Sequence, residues 1–190
     1  KEKNKEEIIF KTRSGVLKSK ILGNNIVETN IGTPKFGWKE IPLSKEIDNT
    51  NLGITISDRD GINFTGGYAL SVGNPHLIFF VNKTENYDLP KIGPALEKHS
   101  MFPEKCNVTL AEIKNRKSIK VKVWERGVGI TKACGTAACA TAVAAFKKKL
   151  TEDMVNIQFE LGVITVTIDN NNSIHMKGKV SEIKEIDIKI

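Results

Sequence analysis

Residues 136–150 constrain this chain more than any other segment, because Ala137, Ala138, Ala140, Ala142, Ala144 and Ala145 leave a helix there with no polar face for several turns. A helix apolar on all sides is stable only when other elements enclose it. It closes on Lys147, Lys148 and Lys149, whose charges complement the negative end of the helix dipole. Sheet has to enclose it, since alternating or β-branched runs recur at 8–12, 16–21, 26–29, 54–57, 62–64, 77–81, 108–113, 119–124, 155–159, 163–168 and 183–190. Turn signals separate these runs at Gly23-Asn24-Asn25, Gly66-Gly67, Gly73-Asn74-Pro75 and Asp169-Asn170-Asn171-Asn172. One further helix is expected over 91–99, where apolar residues fall at helical spacing. The fold class is α+β, rich in strands, with a buried central helix.

The 190 residues, 39% of them hydrophobic, suffice for a buried core. No apolar run approaches the roughly 18 residues that cross a membrane, and Lys1-Glu2-Lys3-Asn4-Lys5 lacks the apolar segment of a secretory signal. A cytoplasmic location without membrane contact is therefore expected. Cys106, Cys134 and Cys139 form neither a disulfide framework nor a CxxC pair, which suits free thiols in a reducing compartment. His76, His99 and His175 are scattered, so no metal site is expected. The formal charge is +7, but the lysines are interspersed with Glu and Asp and aromatic residues make up only 6%. Stacking platforms and a basic stripe are both missing, so the lysines read as a solvated surface and nucleic acid is not an expected partner. Pro34 and Pro42, followed by the polar stretch 44–51, mark a candidate domain boundary.

The chemistry concentrates where the enclosed helix begins. Cys134 stands at its mouth, where unpaired N–H groups and the positive end of the helix dipole favour a thiolate and a bound anion alike. Gly135 allows close backbone approach. Its N–H and that of Thr136 are expected to point at a carboxylate, with the Thr136 hydroxyl as a further donor. On composition alone, Cys134 reads equally well as a small buried thiol. Cys139 lies five positions on, roughly 140° around the helix, and reads as core; Cys106 reads as structural. Glu125 and Arg126 end a strand just before Gly127. Arg126 is suited to clamping a carboxylate, and Glu125 to accepting from an ammonium or shifting the thiol's pKa, although for an isolated Glu-Arg pair a surface ion pair is the favoured reading. Gly73-Asn74-Pro75-His76 is a sharp turn that offers an amide and an imidazole, which turn formation alone also explains.

Taken in order, Gly73-Asn74-Pro75-His76, Phe102-Pro103-Glu104-Lys105-Cys106-Asn107, and Trp124-Glu125-Arg126-Gly127 followed by Ala133-Cys134-Gly135-Thr136 resemble the diaminopimelate epimerase family along essentially the whole chain. The resemblance implies two similar domains, each a curved, mostly antiparallel sheet around a central helix, facing each other across a cleft with one catalytic cysteine apiece. It implies that residues 1–43 belong to the N-terminal domain, 44–179 form the C-terminal epimerase domain, and 180–190 return to the first. About 80 further residues with the other cysteine would precede them, so the 190 residues alone are expected to be inactive.

By position, the resemblance makes Cys134 one acid/base thiol and gives the reacting carboxylate to Gly135 and Thr136. It assigns the distal end of a diamino diacid substrate to Asn74, Asn107, Glu125 and Arg126, and the tuning of the thiols to His76 and Glu125. It implies a homodimer that interconverts LL- and meso-2,6-diaminopimelate for lysine and peptidoglycan precursors. Two opposed thiols, one delivering a proton as the other removes one, need neither pyridoxal phosphate nor metal. Ile130 stands where an acidic residue is usual, and Ala137 where glycine is. Proline racemases, hydroxyproline epimerases and phenazine-type isomerases share the architecture and remain open alternatives. A non-catalytic amino-acid-binding module built on the same helix start remains open as well.

Overall fold

The computed structural model describes residues 7–12 and 15–181. The expected strand 183–190 lies outside them, as does nearly all of the return segment 180–190. In chain order the strands are β1 (Glu7–Thr12), β2 (Gly15–Gly23), β3 (Ile26–Gly32), β4 (Ile54–Ser57), β5 (Asn63–Gly66), β6 (Tyr68–Ser71) and β7 (Pro75–Phe80). Helix α1 (Leu89–Glu97) follows, then β8 (Asn107–Asn115), β9 (Ser118–Glu125), β10 (Gly129–Thr131) and α2 (Gly135–Lys147). The last strands are β11 (Met154–Phe159), β12 (Gly162–Ile168) and β13 (Ile174–Lys179).

Among the described residues, eleven strands form one sheet in the order β1-β2-β3-β13-β12-β11-β9-β8-β7-β6, with β10 hydrogen-bonded to β9, while β4 and β5 make a separate hairpin. All neighbours are antiparallel except β7–β8 and β11–β9. Parallel neighbours need a crossover, and the two helices supply them: α1 connects β7 to β8, and α2 lies on the path from β9 to β11.

The helices sit in different cores, and side-chain alternation along the middle strands assigns each residue to one of them. On β7, Leu77 and Phe79 join the core of α1, whereas Ile78 joins that of α2. On β9, Ile119, Val121 and Val123 turn to α2, and Trp124 to α1. Strands buried on both faces read as continuous apolar runs, which is why β7 carries His76 as its one polar side chain. Helix α2 touches β6, β7, β8, β11, β12 and β13, and every residue from Ala137 to Ala145 is buried. The enclosure expected of an all-apolar helix is therefore what forms. Asp88 caps α1 by accepting from the Lys91 N–H at 3.4 Å, and Pro90 in the first turn lacks a donor that would have been unpaired there anyway.

Three strands escape sequence reading. β6 and β10 are only four and three residues long, and β13 alternates but carries only two large apolar side chains, Ile174 and Met176, between His175, Lys177 and Lys179. Each is a strand because a neighbour offers a ladder: β7 to β6, β9 to β10, and β12 and β3 to β13.

Candidate active site

Strand register, more than any single residue, assembles the site. β7 and β8 run parallel with His76 opposite Asn107, and β9 runs antiparallel to β8 with Trp124 opposite Val108. The start of β7, the start of β8 and the end of β9 therefore share one edge. That edge carries Asn74 and His76, Asn107, and Glu125 with Arg126. After β10 the chain turns directly into α2, whose N-cap is Cys134 in extended backbone conformation (φ −148°, ψ 111°).

The residues singled out in the sequence are brought together, most of them in one chain of contacts. Cys134 Sγ lies 3.6 Å from Thr136 Oγ1. Asn74 donates from Nδ2 to the same hydroxyl at 3.5 Å, and its Oδ1 faces His76 Nε2 at 3.0 Å. The Arg126 N–H donates to Asn107 Oδ1 at 3.0 Å, and Asn107 Nδ2 donates to the Pro75 carbonyl at 3.0 Å. Asn107 is thus a brace between two strand ends, with one amide hydrogen left to offer. Arg126 donates from Nη1 to the Glu104 carbonyl at 3.0 Å, which leaves the rest of the guanidinium fork for a ligand. The bare backbone of Gly135 lies close beneath Met176, whose side-chain tip would have to move for a Cβ, since one there would sit 2.9 Å from Met176 Sδ. Among the described residues no three His, Cys, Asp or Glu side chains converge as metal ligands.

The electrostatics differ from the sequence expectation in one respect. The helix start favours a thiolate at Cys134, yet the group lies above the ordinary thiol value. Burial, with only 8% of the residue exposed, is the largest cause. The Thr136 hydroxyl and the Ala137 N–H pull the other way, and the Glu125 carboxylate beside the sulfur raises it again, both by its charge and by accepting the S–H. Cys134 therefore rests as a protonated thiol. The other two thiols are remote from any such role: burial pushes Cys139 up to about 12 and Cys106 higher still. Their readings as core and structural residues agree with exposures of 0%.

His76 is fully buried, and burial, reinforced by the Arg126 guanidinium, lowers it from 6.5 to about 3. It is neutral at any working pH. Because Asn74 turns its Oδ1 toward it, the proton belongs on Nε2, and Nδ1 has no partner among the described residues. A depressed folded pKa means that the unfolded chain takes up a proton that the folded chain refuses between pH 6.5 and about 3. Stability is fully present above that window and falls as pH drops through it, by about 1.4 kcal/mol per pH unit from this group. From pH 6.5 to 5, above the range where lowered carboxylates titrate, His76 should cost roughly 2 kcal/mol. In His76→Gln that loss should vanish, while the amide still donates to Asn74. Denaturant melts at the two pH values measure it, and equal slopes in both proteins would refute it.

Sequence reading missed Glu97. On the last turn of α1, 5% exposed, it accepts from Trp124 Nε1 at 2.7 Å and from the Gly127 N–H at 3.1 Å. Burial raises its pKa, but those two donors together with Lys105 and Lys98 outweigh burial, so it stays a carboxylate. Its signal was available, since an acid ten residues before Asn107 interrupts the apolar pattern of the helix.

A family profile described as diaminopimelate epimerase matches residues 68–183. Over all 190 residues the chain is 62% identical to a diaminopimelate epimerase of Pelagibacter ubique, and it spans 69% of that protein. It is 42% identical over 178 residues to a diaminopimelate epimerase of Rhodopseudomonas palustris, and it spans 61% of that one. Among solved structures, a phenazine biosynthesis protein of the PhzF family from Bacillus anthracis superposes with a TM-score of 0.64 at 15% identity, covering 99% of this chain and 70% of that one. That likeness is one of fold.

Proposed function

The chain belongs to the diaminopimelate epimerase family, and from that membership we propose that it supplies one acid/base half of an enzyme inverting an α-carbon of 2,6-diaminopimelate between the LL and meso forms. The observation that carries the reading is a buried thiol at the N-cap of α2, 3.6 Å from the Thr136 hydroxyl and within the electrostatic reach of the Glu125 carboxylate.

In the step that uses Cys134 as acid, a base on the opposite face takes the α-proton, and the electron pair moves into the carboxylate. The negative charge that builds there meets the first N–H groups of α2, from Gly135 and Thr136, which have no partner within the helix. Cys134 then delivers its proton to the near face of the carbon, so the configuration inverts. In the reverse direction Cys134, left as thiolate by that delivery, takes the α-proton back from the near face while the opposed group supplies one, and the Glu125 charge nearby makes the thiolate a stronger base. Asn74 and the remaining amide hydrogen of Asn107 orient the distal amino-acid end, and Arg126 clamps its carboxylate. His76, neutral, keeps Asn74 turned toward Thr136. The opposed acid/base group comes from outside these residues, because Cys106 and Cys139 are sealed in the interior.

We assign residues 44–179 to the domain that carries this half-site, and 1–43 with 180–190 to its neighbour. A homodimer in the cytoplasm, acting on a small diamino diacid and not on nucleic acid, is the working assembly. No helix among the described residues is long and apolar enough to cross a membrane.

Incubation of the full-length protein with LL-diaminopimelate in deuterium oxide tests the reading. One deuterium per inverted centre is expected in the meso product, and none is expected from the 190 residues alone. Binding without exchange by the full-length protein would mark an amino-acid-binding module.

A further inference from the structure

We propose that Glu97 is a positioning residue for the distal substrate contacts, a role that rests on the epimerase reading above. The geometry points to it through three bonds that converge on one buried residue. Its two carboxylate oxygens each accept from a different donor of the β9–β10 turn, Trp124 Nε1 and the Gly127 N–H. Its backbone carbonyl accepts the Cys106 N–H at 3.1 Å. Cys106 precedes Asn107, and Gly127 follows Arg126. One residue on α1 therefore sets the approach of both substrate-facing groups from beneath.

Trp124 is seated for the purpose. One helical turn before Glu97, a Cβ on Gly93 would lie 2.6 Å from Trp124 Cδ2, so the bare glycine backbone is what admits the indole against α1. From the other side, Gly129 at φ +105° lies against the far edge of the same ring. The indole is packed on the bare backbone of Gly93, and its N–H is aimed at Glu97.

The chemistry demands a carboxylate. Both partners are N–H donors, so both side-chain oxygens of Glu97 must accept. A glutamine keeps the shape but presents an NH₂ to one of the two donors, which leaves a buried N–H facing another N–H. Glu125 is held independently, since it pairs with Gly129 in the β9–β10 ladder. Cys134 is held by α2. Arg126 lies outside both elements, and besides its own bonds to Asn107 and Glu104 its backbone is tied to Glu97 through the adjoining Gly127. The defect should therefore appear in substrate binding more than in the proton transfer.

In the full-length protein, E97Q should raise KM for diaminopimelate about tenfold and change kcat less than threefold. Trp124→Phe removes one of the competing donors. In the double variant the glutamine oxygen is free to serve Gly127, so KM should return to that of Trp124→Phe alone. A merely structural role would give an additive loss instead. An unchanged KM in E97Q, or a KM defect that persists undiminished in the double variant, overturns the proposal. If E97Q does not fold, the double variant is read alone: native-like folding with the KM of Trp124→Phe supports the proposal, and misfolding sinks it. If the unmodified full-length protein inverts nothing, the functional reading falls and takes this one with it. Normal turnover with an indifferent E97Q removes only this one.

Discussion

Replacing Cys134 by serine should abolish inversion, by roughly 10³-fold or more in kcat, while leaving the fold as stable as before. The two halves of that result have separate causes. Position 134 is the N-cap of α2, in extended backbone geometry, and its thiol makes no capping hydrogen bond. Serine is among the best residues for that position, so stability should hold or rise within about 1 kcal/mol. The chemistry has no such substitute. A hydroxyl holds its proton far more tightly than a thiol and can neither deliver nor accept one at the α-carbon near neutral pH. Thermal melts and a deuterium-exchange assay on the same full-length preparation separate the two. A serine variant that still inverts substrate would remove Cys134 from the mechanism, and one that unfolds would make it a packing residue.

Arg126→Ala should raise KM about 10²-fold and leave kcat within tenfold of the unmodified protein. A charge-assisted pair with a carboxylate contributes about 1.5–3 kcal/mol, and the distal carboxylate is bound equally before and during the proton transfer, so its loss is one of uniform binding. Arg126→Lys should recover only part of it. The guanidinium holds the Glu104 carbonyl with Nη1 while the rest of its fork remains open, and an ammonium is a point charge without that geometry. Steady-state kinetics on the three proteins decide the matter. If kcat collapses while KM stays put, Arg126 acts on the reacting centre instead.

Much of this was legible in the residues because it is local. The alanine-rich segment within 136–150 had to be enclosed, and α2 is, buried from Ala137 to Ala145. Cys134 stood before that segment and is its N-cap. The runs behind β7, β8 and β9 announced strands, and the motifs of the site lay at their ends.

What tertiary structure alone decided is everything that depends on a neighbour distant in sequence. The ladders that make β6, β10 and β13 strands come from other strands. Whether Cys134 rests as thiol or thiolate follows from how much water the packed sheet excludes and from where Glu125 comes to lie; the helix dipole argued for the thiolate, and burial prevailed. Asn107 became a brace because parallel β7 and antiparallel β9 both end beside it. Glu97 became a buried carboxylate only because Trp124 and Gly127 closed over it. Periodicity in a chain reports which face of an element is apolar, but the free energy of a buried charge is set by the donors and the desolvation that other elements impose on it.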